Sequence, residues 1–151
     1  MHRCNIFINE QSYAILMSVK EGILKVIGGE HVAALATVDG GRPAVRFLAM
    51  AGMEDLTLVG ATMKSSRKVA QIKTNPNAAI SIWSGKNFSD PYVMIWGKAS
   101  IFDDLQTKKK FWDRGLEPYF QTPENPEYVV LKLVPERIEY YHDMTMELWE
   151  R

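Results

Sequence analysis

HVAALATVDGGRPAVRFLAM, residues 31–50, reads as two β-rich segments on either side of Asp39-Gly40-Gly41. Glycine tolerates the positive φ that a tight hairpin turn requires, and the flanking Val, Thr and Phe favour a pleated, half-buried surface. Downstream, AGMED and LTLVG (51–60) supply a second turn and a further strand, so the stretch predicts an antiparallel meander. Upstream the pattern is helical: Tyr13, Leu16, Val19, Ile23, Leu24 and Ile27 fall on one face between about 10 and 28, with Asn9 and Gly28-Gly29 offering cap chemistry.

Further along, SSRKVAQIKTNP (65–76) begins with serines able to cap, ends in Asn75-Pro76 and places Val69 and Ile72 on one face, predicting a short helix. Strand signals resume at AAISIWS (78–84) and YVMIWGKASIF (92–102), separated by the polar loop GKNFSDP. DDLQTKKKFWDRG (103–115) is expected to be a second amphipathic helix opened by Asp103 and closed by Gly115. After Pro118, Pro123 and Pro126, YVVLKLV and RIEYYHD flank Pro135-Glu136 and read as a last hairpin followed by a short tail. About seven short strands with local antiparallel pairing satisfy their edges best in a closed or nearly closed barrel with flanking helices. The expected organisation is one domain over 1–151, with the barrel occupying about 31–142.

With 151 residues, 46% hydrophobic and 24% charged, the chain can bury a core. Eighteen Lys plus Arg balance eighteen Asp plus Glu, so no global field draws it to nucleic acid or an anionic membrane. Any anion site must be local. A single cysteine, Cys4, fits a reducing compartment. The opening residues lack the apolar core of a signal peptide, and no run approaches the roughly 20 apolar residues that span a bilayer. A cytoplasmic protein is expected.

The densest chemistry lies at Gly60-Ala61-Thr62-Met63-Lys64-Ser65-Ser66-Arg67-Lys68, where a strand gives way to a helix. The first N–H groups of a helix lack intrahelical partners and the dipole is positive there, so hydroxyls and cations added at that end suit phosphate oxygens. Ser65, Ser66, Arg67, Lys68 and Lys64 form the candidate cradle. An ordinary Ser65 N-cap beside a solvated basic face is the alternative, and for this segment alone the commoner one. Basic residues in a first turn nevertheless oppose the dipole by a few tenths of a kcal/mol each. An anion would offset that cost. Arg46, in mid-strand among apolar neighbours, either points to solvent or joins the same anion. His31, His142, Asp103 and Asp104 are expected to be structural, Lys108-Lys109-Lys110 an exposed face, and Trp83, Trp96, Phe111 and Trp112 mostly core.

Taken together, TVDGGRPAVRFLAM, SSRKVAQIKTNPNAAISIW and VMIWGKASIFDD resemble the pyridoxamine 5′-phosphate oxidase-like FMN-binding split-barrel family over about 31–115, and the ending Glu139-Tyr140-Tyr141 resembles its short general-stress-protein branch. The resemblance implies a six-stranded Greek-key split barrel, mainly β with flanking helices, and a homodimer with FMN at the subunit interface. By position, Arg46, Phe47 and Leu48 match the strand contacting the flavin, Ala61 and Thr62 the pair beside its ring, Ser66 the serine preceding the phosphate ligands, and Arg67 and Lys68 those ligands. Tyr92 stands where the oxidase has a glutamine reaching the flavin from the partner, and Ala51 where it has a lysine for its substrate's phosphate; the oxidase's C-terminal substrate segment has no counterpart. The resemblance thus implies an FMN-dependent oxidoreductase of unassigned substrate, with a nicotinamide nucleotide or other small reduced carrier as donor. The alternatives are a non-catalytic FMN binder, electron carrier or sensor, and a haem- or deazaflavin-binding relative.

Overall fold

The computed structural model describes residues 9–151, so Cys4 lies outside the described residues. Helix α1 (Glu10–Ile27) starts where the Asn9 side chain accepts a hydrogen bond from the Ser12 N–H, and it ends at Gly28. Strands β1 (Gly29–Asp39) and β2 (Arg42–Gly52) form the hairpin read from the sequence, with Gly40 and Gly41 at φ +56° and +84° in a two-residue turn. Strand β3 (Leu58–Met63) follows, then helix α2 (Arg67–Thr74), β4 (Asn77–Trp83) and β5 (Tyr92–Phe102).

Between β5 and the last two strands the structure departs from the sequence pattern. The expected helix over 103–115 is shorter and is capped by Asp104, which accepts from the Thr107 N–H and hydroxyl; it forms α3 (Leu105–Lys110). Asp113 then caps a 3₁₀ turn (Arg114–Leu116) that leads into the short α4 (Glu117–Phe120). The chain breaks there at Asp113, Gly115 and Pro118, which cap and interrupt the helix, and Phe111, Trp112, Leu116 and Phe120 pack onto one apolar cluster with Tyr128 and Val130.

The expected hairpin around Pro135-Glu136 is instead one long strand, β6 (Tyr128–His142), and the supposed tail is β7 (Thr145–Glu150). Their turn is Asp143-Met144, both at positive φ. Proline is tolerated in β6 because β3 pairs with Tyr128–Leu133 along one edge while β7 pairs with Arg137–His142 along the same edge, leaving Pro135 between partners where its missing N–H breaks no ladder. Opposite, Glu136 is the extra residue of a bulge between the pairs Trp96–Arg137 and Gly97–Pro135.

The sheet runs β3-β2-β1-β4-β5-β6-β7 and β3 also pairs with β6, closing a six-stranded antiparallel barrel with β7 attached outside the ring. Two seams are narrow. Strands β2 and β3 share only Ala51–Val59 and Gly52–Leu58, and β1 and β4 only Ala34–Ser81 to Ala36–Ala79. Leu35, Met50, Leu58, Ile80, Ile95, Leu133 and Ile138 fill the interior, and Ile23 and Ile27 of α1 pack onto the same cluster. Val69 and Ile72 seat α2. No helix among the described residues is long and apolar enough to cross a membrane.

Candidate functional site

Side chains alternate along a strand, so Leu35 and Thr37 of β1 and Arg46 and Met50 of β2 share the inward face. Arg46 therefore does not point outward from mid-strand. Its guanidinium donates to the Thr37 hydroxyl (2.7 Å), to the Leu35 carbonyl (3.2 Å) and to Gln71 Oε1 (2.7 Å). The Thr37 hydroxyl in turn donates to the same Gln71 oxygen at 2.6 Å. Arginine has no acceptor, which fixes the oxygen of the Gln71 amide toward it.

Gln71 belongs to α2, whose first turn brings Arg67 and Lys68 to the same place. Arg46, Ser65, Ser66, Arg67, Lys68, Gln71 and Asp39 line a cleft of about 510 Å³. Ser66 is the N-cap residue, yet its side chain makes no cap hydrogen bond, and the backbone N–H groups of Arg67 and Lys68 have no partner among the described residues. The Lys68 ammonium donates to the buried Thr62 hydroxyl at 2.8 Å. Among the described residues no carboxylate lies within ion-pair distance of Arg46, Arg67 or Lys68.

The electrostatics carry that imbalance. Burial, and then the Arg46 charge, hold the Lys68 ammonium below the usual lysine range. Arg46 is likewise lowered, by burial and then by Arg67, with Asp39 acting the other way. Each cation raises the cost of the next, which is the opposite of what folding alone would select. An anion placed among them would reverse the sign.

Not every residue that the sequence suggests offers a free donor to this cleft. Lys64 turns away to Asp103 at 2.7 Å, and the Ser65 hydroxyl donates to Glu127 at 2.6 Å. Phe47, adjacent to Arg46, points to the opposite face of β2 and is 77% exposed. Leu48 packs against the interior and Ala61 against the cluster under α4. Tyr92 stacks on Tyr141, ring centroids 4.6 Å apart. Of the residues expected to be exposed, Lys108 is buried: its ammonium donates to the Asn125 carbonyl at 3.0 Å and sits 5.6 Å over the Tyr128 ring. His142 lies between Glu147 (2.6 Å) and Asp143 (3.2 Å), which hold it above the usual histidine range.

Thr37 and Gln71 were not singled out in the sequence. Gln71 had a signal, since it stands four residues after Arg67 and so on the same side of α2. Thr37 had only its alternation with Leu35.

The outer faces of the barrel differ. Over β3 and β6, Val59, Tyr128 and Val130 are covered by the segment carrying α3 and α4. Over β2-β1-β4-β5, the cross-strand rows Val45–Ala36–Ala79–Trp96 and Phe47–Ala34–Ser81–Met94 are almost wholly apolar. There Val32, Val45 and Phe47 are 70%, 72% and 77% exposed. Where β1 and β4 part beyond Ala36–Ala79, a hollow of about 370 Å³ opens beside Trp96, Arg42 and Glu136.

The pyridoxamine 5′-phosphate oxidase family model matches residues 7–142. Over 121 residues the chain is 34% identical to General stress protein 26 of Bacillus subtilis (strain 168), covering 80% of this chain and 86% of that one. The crystal structure of General Stress Protein 26 from Bacillus anthracis str. Sterne matches with TM-score 0.77 and 31% identity over 89% of this chain and all of the other (100%). A pyridoxamine 5′-phosphate oxidase-related, FMN-binding protein from Nostoc punctiforme PCC 73102 matches with TM-score 0.61 and 20% identity over 94% and 90% of the two chains. A heme-binding protein from Mycobacterium smegmatis (TM-score 0.67, 17% identity, 87% and 56% covered) and an F420 reductase (0.61, 21%, 78% and 95%) share the fold. At such identities the last three likenesses are of fold alone. The family match over residues 7–142, together with the barrel and the 34% identical relative, establishes that this chain belongs to the pyridoxamine 5′-phosphate oxidase family.

Proposed function

We propose that this protein binds FMN through its phosphate and works as an FMN-dependent oxidoreductase. The observation that carries the reading is the convergence of Arg46, Arg67 and Lys68 on one cleft with no carboxylate pairing any of them among the described residues. Three cations and two free helix-start N–H groups suit a phosphomonoester dianion. The flavin when bound supplies hydride or electron transfer at its ring; the chain supplies binding, orientation and electrostatics.

Arg46 enters this role already aimed, since Thr37 and Gln71 fix two of its edges and little side-chain freedom is left to lose on binding. Lys68 is held by Thr62 and Ser66 has a hydroxyl uncommitted to a cap. The ring would extend along Ala61 and Thr62 at the β3 end. The apolar face over β2-β1-β4-β5 begins at Val45, which also borders the cleft, so a second copy seated there would cover the flavin and bring residues such as Tyr92 against it. Its reductant would be a nicotinamide nucleotide or another small carrier.

A second reading, an FMN holder or electron carrier without its own organic substrate, is favoured by the cleft lining, where Asp39 is the one side chain able to act as a carboxylate base. Anaerobic reduction by NAD(P)H separates the two: saturable reduction supports the enzyme, and none supports the carrier.

The absorbance spectrum of the purified protein tests the cofactor. Flavin bands are expected, and a Soret band would refute FMN in favour of haem. Arg67→Ala combined with Lys68→Ala removes two charge-assisted phosphate contacts of roughly 1.5–3 kcal/mol each, so FMN affinity should fall about a hundredfold or more while the circular dichroism of the barrel is kept. Unchanged affinity in a fluorescence titration would overturn the cradle.

A further inference from the structure

The phosphate loop, residues 63–66, is held from outside the site. Glu127 does most of this. Its backbone carbonyl accepts from the Lys64 N–H at 2.8 Å, and its carboxylate accepts from the Ser65 hydroxyl at 2.6 Å and the Ser65 N–H at 3.3 Å. These two residues are separated by 62 positions in sequence. Glu127 is itself fixed, for its N–H donates to Asn125 Oδ1 at 2.9 Å and the next residue, Tyr128, is fully buried.

The Asn125 that holds Glu127 is itself tied to Lys108, a buried lysine that the proposed function does not use. Lys108 donates to the Asn125 carbonyl at 3.0 Å, while the Tyr128 hydroxyl donates to the Lys108 carbonyl at 3.0 Å. Asn125 also donates through its side-chain amide to the Phe120 carbonyl at 2.9 Å. Burying a lysine is costly unless it is hydrogen-bonded, so this node is rigid when satisfied and fails when any member is lost.

A serine hydroxyl has one proton, and that of Ser65 goes to Glu127. Asp103 takes the Lys64 ammonium in the same direction. Both side-chain donors are therefore committed to carboxylates, so Ser65 borders the cleft without a free hydroxyl proton and the donors facing it come from Ser66, Arg67 and Lys68. We infer that Glu127, clamped by the Lys108–Asn125–Tyr128 node, is the positioning residue of the phosphate loop, acting through Ser65 and Lys64 without touching the ligand.

This inference rests on the phosphate-cradle reading, and it opposes a simple alternative. A carboxylate beside a phosphate site repels the anion, so if charge alone mattered, removing Glu127 would tighten binding. If positioning dominates, removal loosens the loop and weakens binding, and glutamine, which keeps an oxygen for Ser65, restores it.

The test titrates wild type, Glu127→Ala and Glu127→Gln with FMN and with riboflavin, which lacks the phosphate, following flavin fluorescence. Inorganic phosphate is titrated in parallel by its effect on Tm. For Glu127→Ala, FMN affinity should fall about tenfold or more and riboflavin affinity should hold, since misplacing donors costs only the ligand part they grip. Glu127→Gln should stay close to wild type. FMN affinity in Glu127→Ala equal to or tighter than wild type overturns the inference, as does a parallel loss of riboflavin, which would mark general damage. A wild type that ignores FMN but is stabilised by phosphate refutes the flavin alone, and the comparison of the three proteins on phosphate still decides Glu127. Stabilisation of wild type by neither ligand overturns both.

Discussion

Lys68 shows what a binding residue costs a protein that lacks its ligand. Its folded-state pKa lies below the ordinary 10.5, with burial as the larger cause and Arg46 as the second. The unfolded chain thus holds this proton more tightly than the folded one, so stability rises with pH between the depressed value and 10.5. Below that window, at neutral pH, the full penalty stands. Lys68→Met is accordingly expected to leave the Tm of the ligand-free protein no lower than wild type at pH 7, and to shrink the Tm rise that FMN gives wild type at the same FMN concentration. A marked drop in ligand-free Tm would show that the Lys68–Thr62 bond outweighs the charge penalty. The same depression should make FMN binding weaken on the alkaline side at a pH lower than an ordinary lysine would give, because the ammonium is the form that grips phosphate; calorimetric titration between pH 7 and 10 would follow it. At this scale the sequence was informative where donors were contiguous. Ser66, Arg67 and Lys68 stand in a row at a helix start, whereas Thr37 reaches Arg46 across the β1–β2 hairpin and Glu127 reaches Ser65 from a turn 62 residues away, and neither leaves a mark beside its partner in the sequence.

Secondary structure was legible where one periodicity ran without interruption and a recognisable cap or turn closed it. Helix α1 and the β1–β2 hairpin follow from Asn9, Gly28 and the Gly40-Gly41 pair. Pro135 misleads because its missing N–H suggests a turn, and only the change of neighbour from β3 to β7 along β6 makes it harmless. Lys108 misleads because three lysines in a row suggest a solvated face, while the carbonyl that lets it be buried, that of Asn125, is 17 residues away. Beside the Glu136 bulge, the β6 backbone comes so close that position 97 requires glycine. A Cβ there would lie 2.1 Å from the Val134 carbonyl oxygen and 3.1 Å from a Leu133 methyl, and backbone cannot swing aside as a side chain can. Gly97→Ala is expected to cost about 1–3 kcal/mol or more, the range for overpacking a tight site. Urea unfolding should show a lower midpoint with an unchanged slope. Because Gly97 lines no part of the phosphate cleft, FMN affinity should survive in the fraction that folds.

Taken whole, the molecule protects one outer face of its barrel and leaves another bare. The α3–α4 segment covers β3 and β6, whereas over β2-β1-β4-β5 Val32, Val45 and Phe47 stand exposed, with the Arg137 guanidinium over the Trp96 ring at the far end of the face. Antiparallel sheets with one solvated face ordinarily alternate apolar inward with polar outward, and contiguous exposed apolar patches mark interaction surfaces. The alternation in β1 fails at Val32, Ala34, Ala36 and Val38, all on the outward side. A second copy is the occupant we propose, since the patch reaches the phosphate cleft at Val45 and a two-fold pairing would close two such clefts at once. Phe47→Glu should then act at a distance from any phosphate contact: its side chain leaves the opposite face of β2 from Arg46, so the cradle itself is untouched. Equilibrium sedimentation at micromolar concentration is expected to show a dimer for wild type and a substantial monomer fraction for the variant. The affinity for FMN should fall together with dimerisation, because half of the flavin's cover would be lost, while inorganic phosphate, which needs only Arg46, Arg67 and Lys68, should bind both forms alike. A wild type that sediments as a monomer yet binds FMN tightly would confine the whole site to one chain and refute the interface.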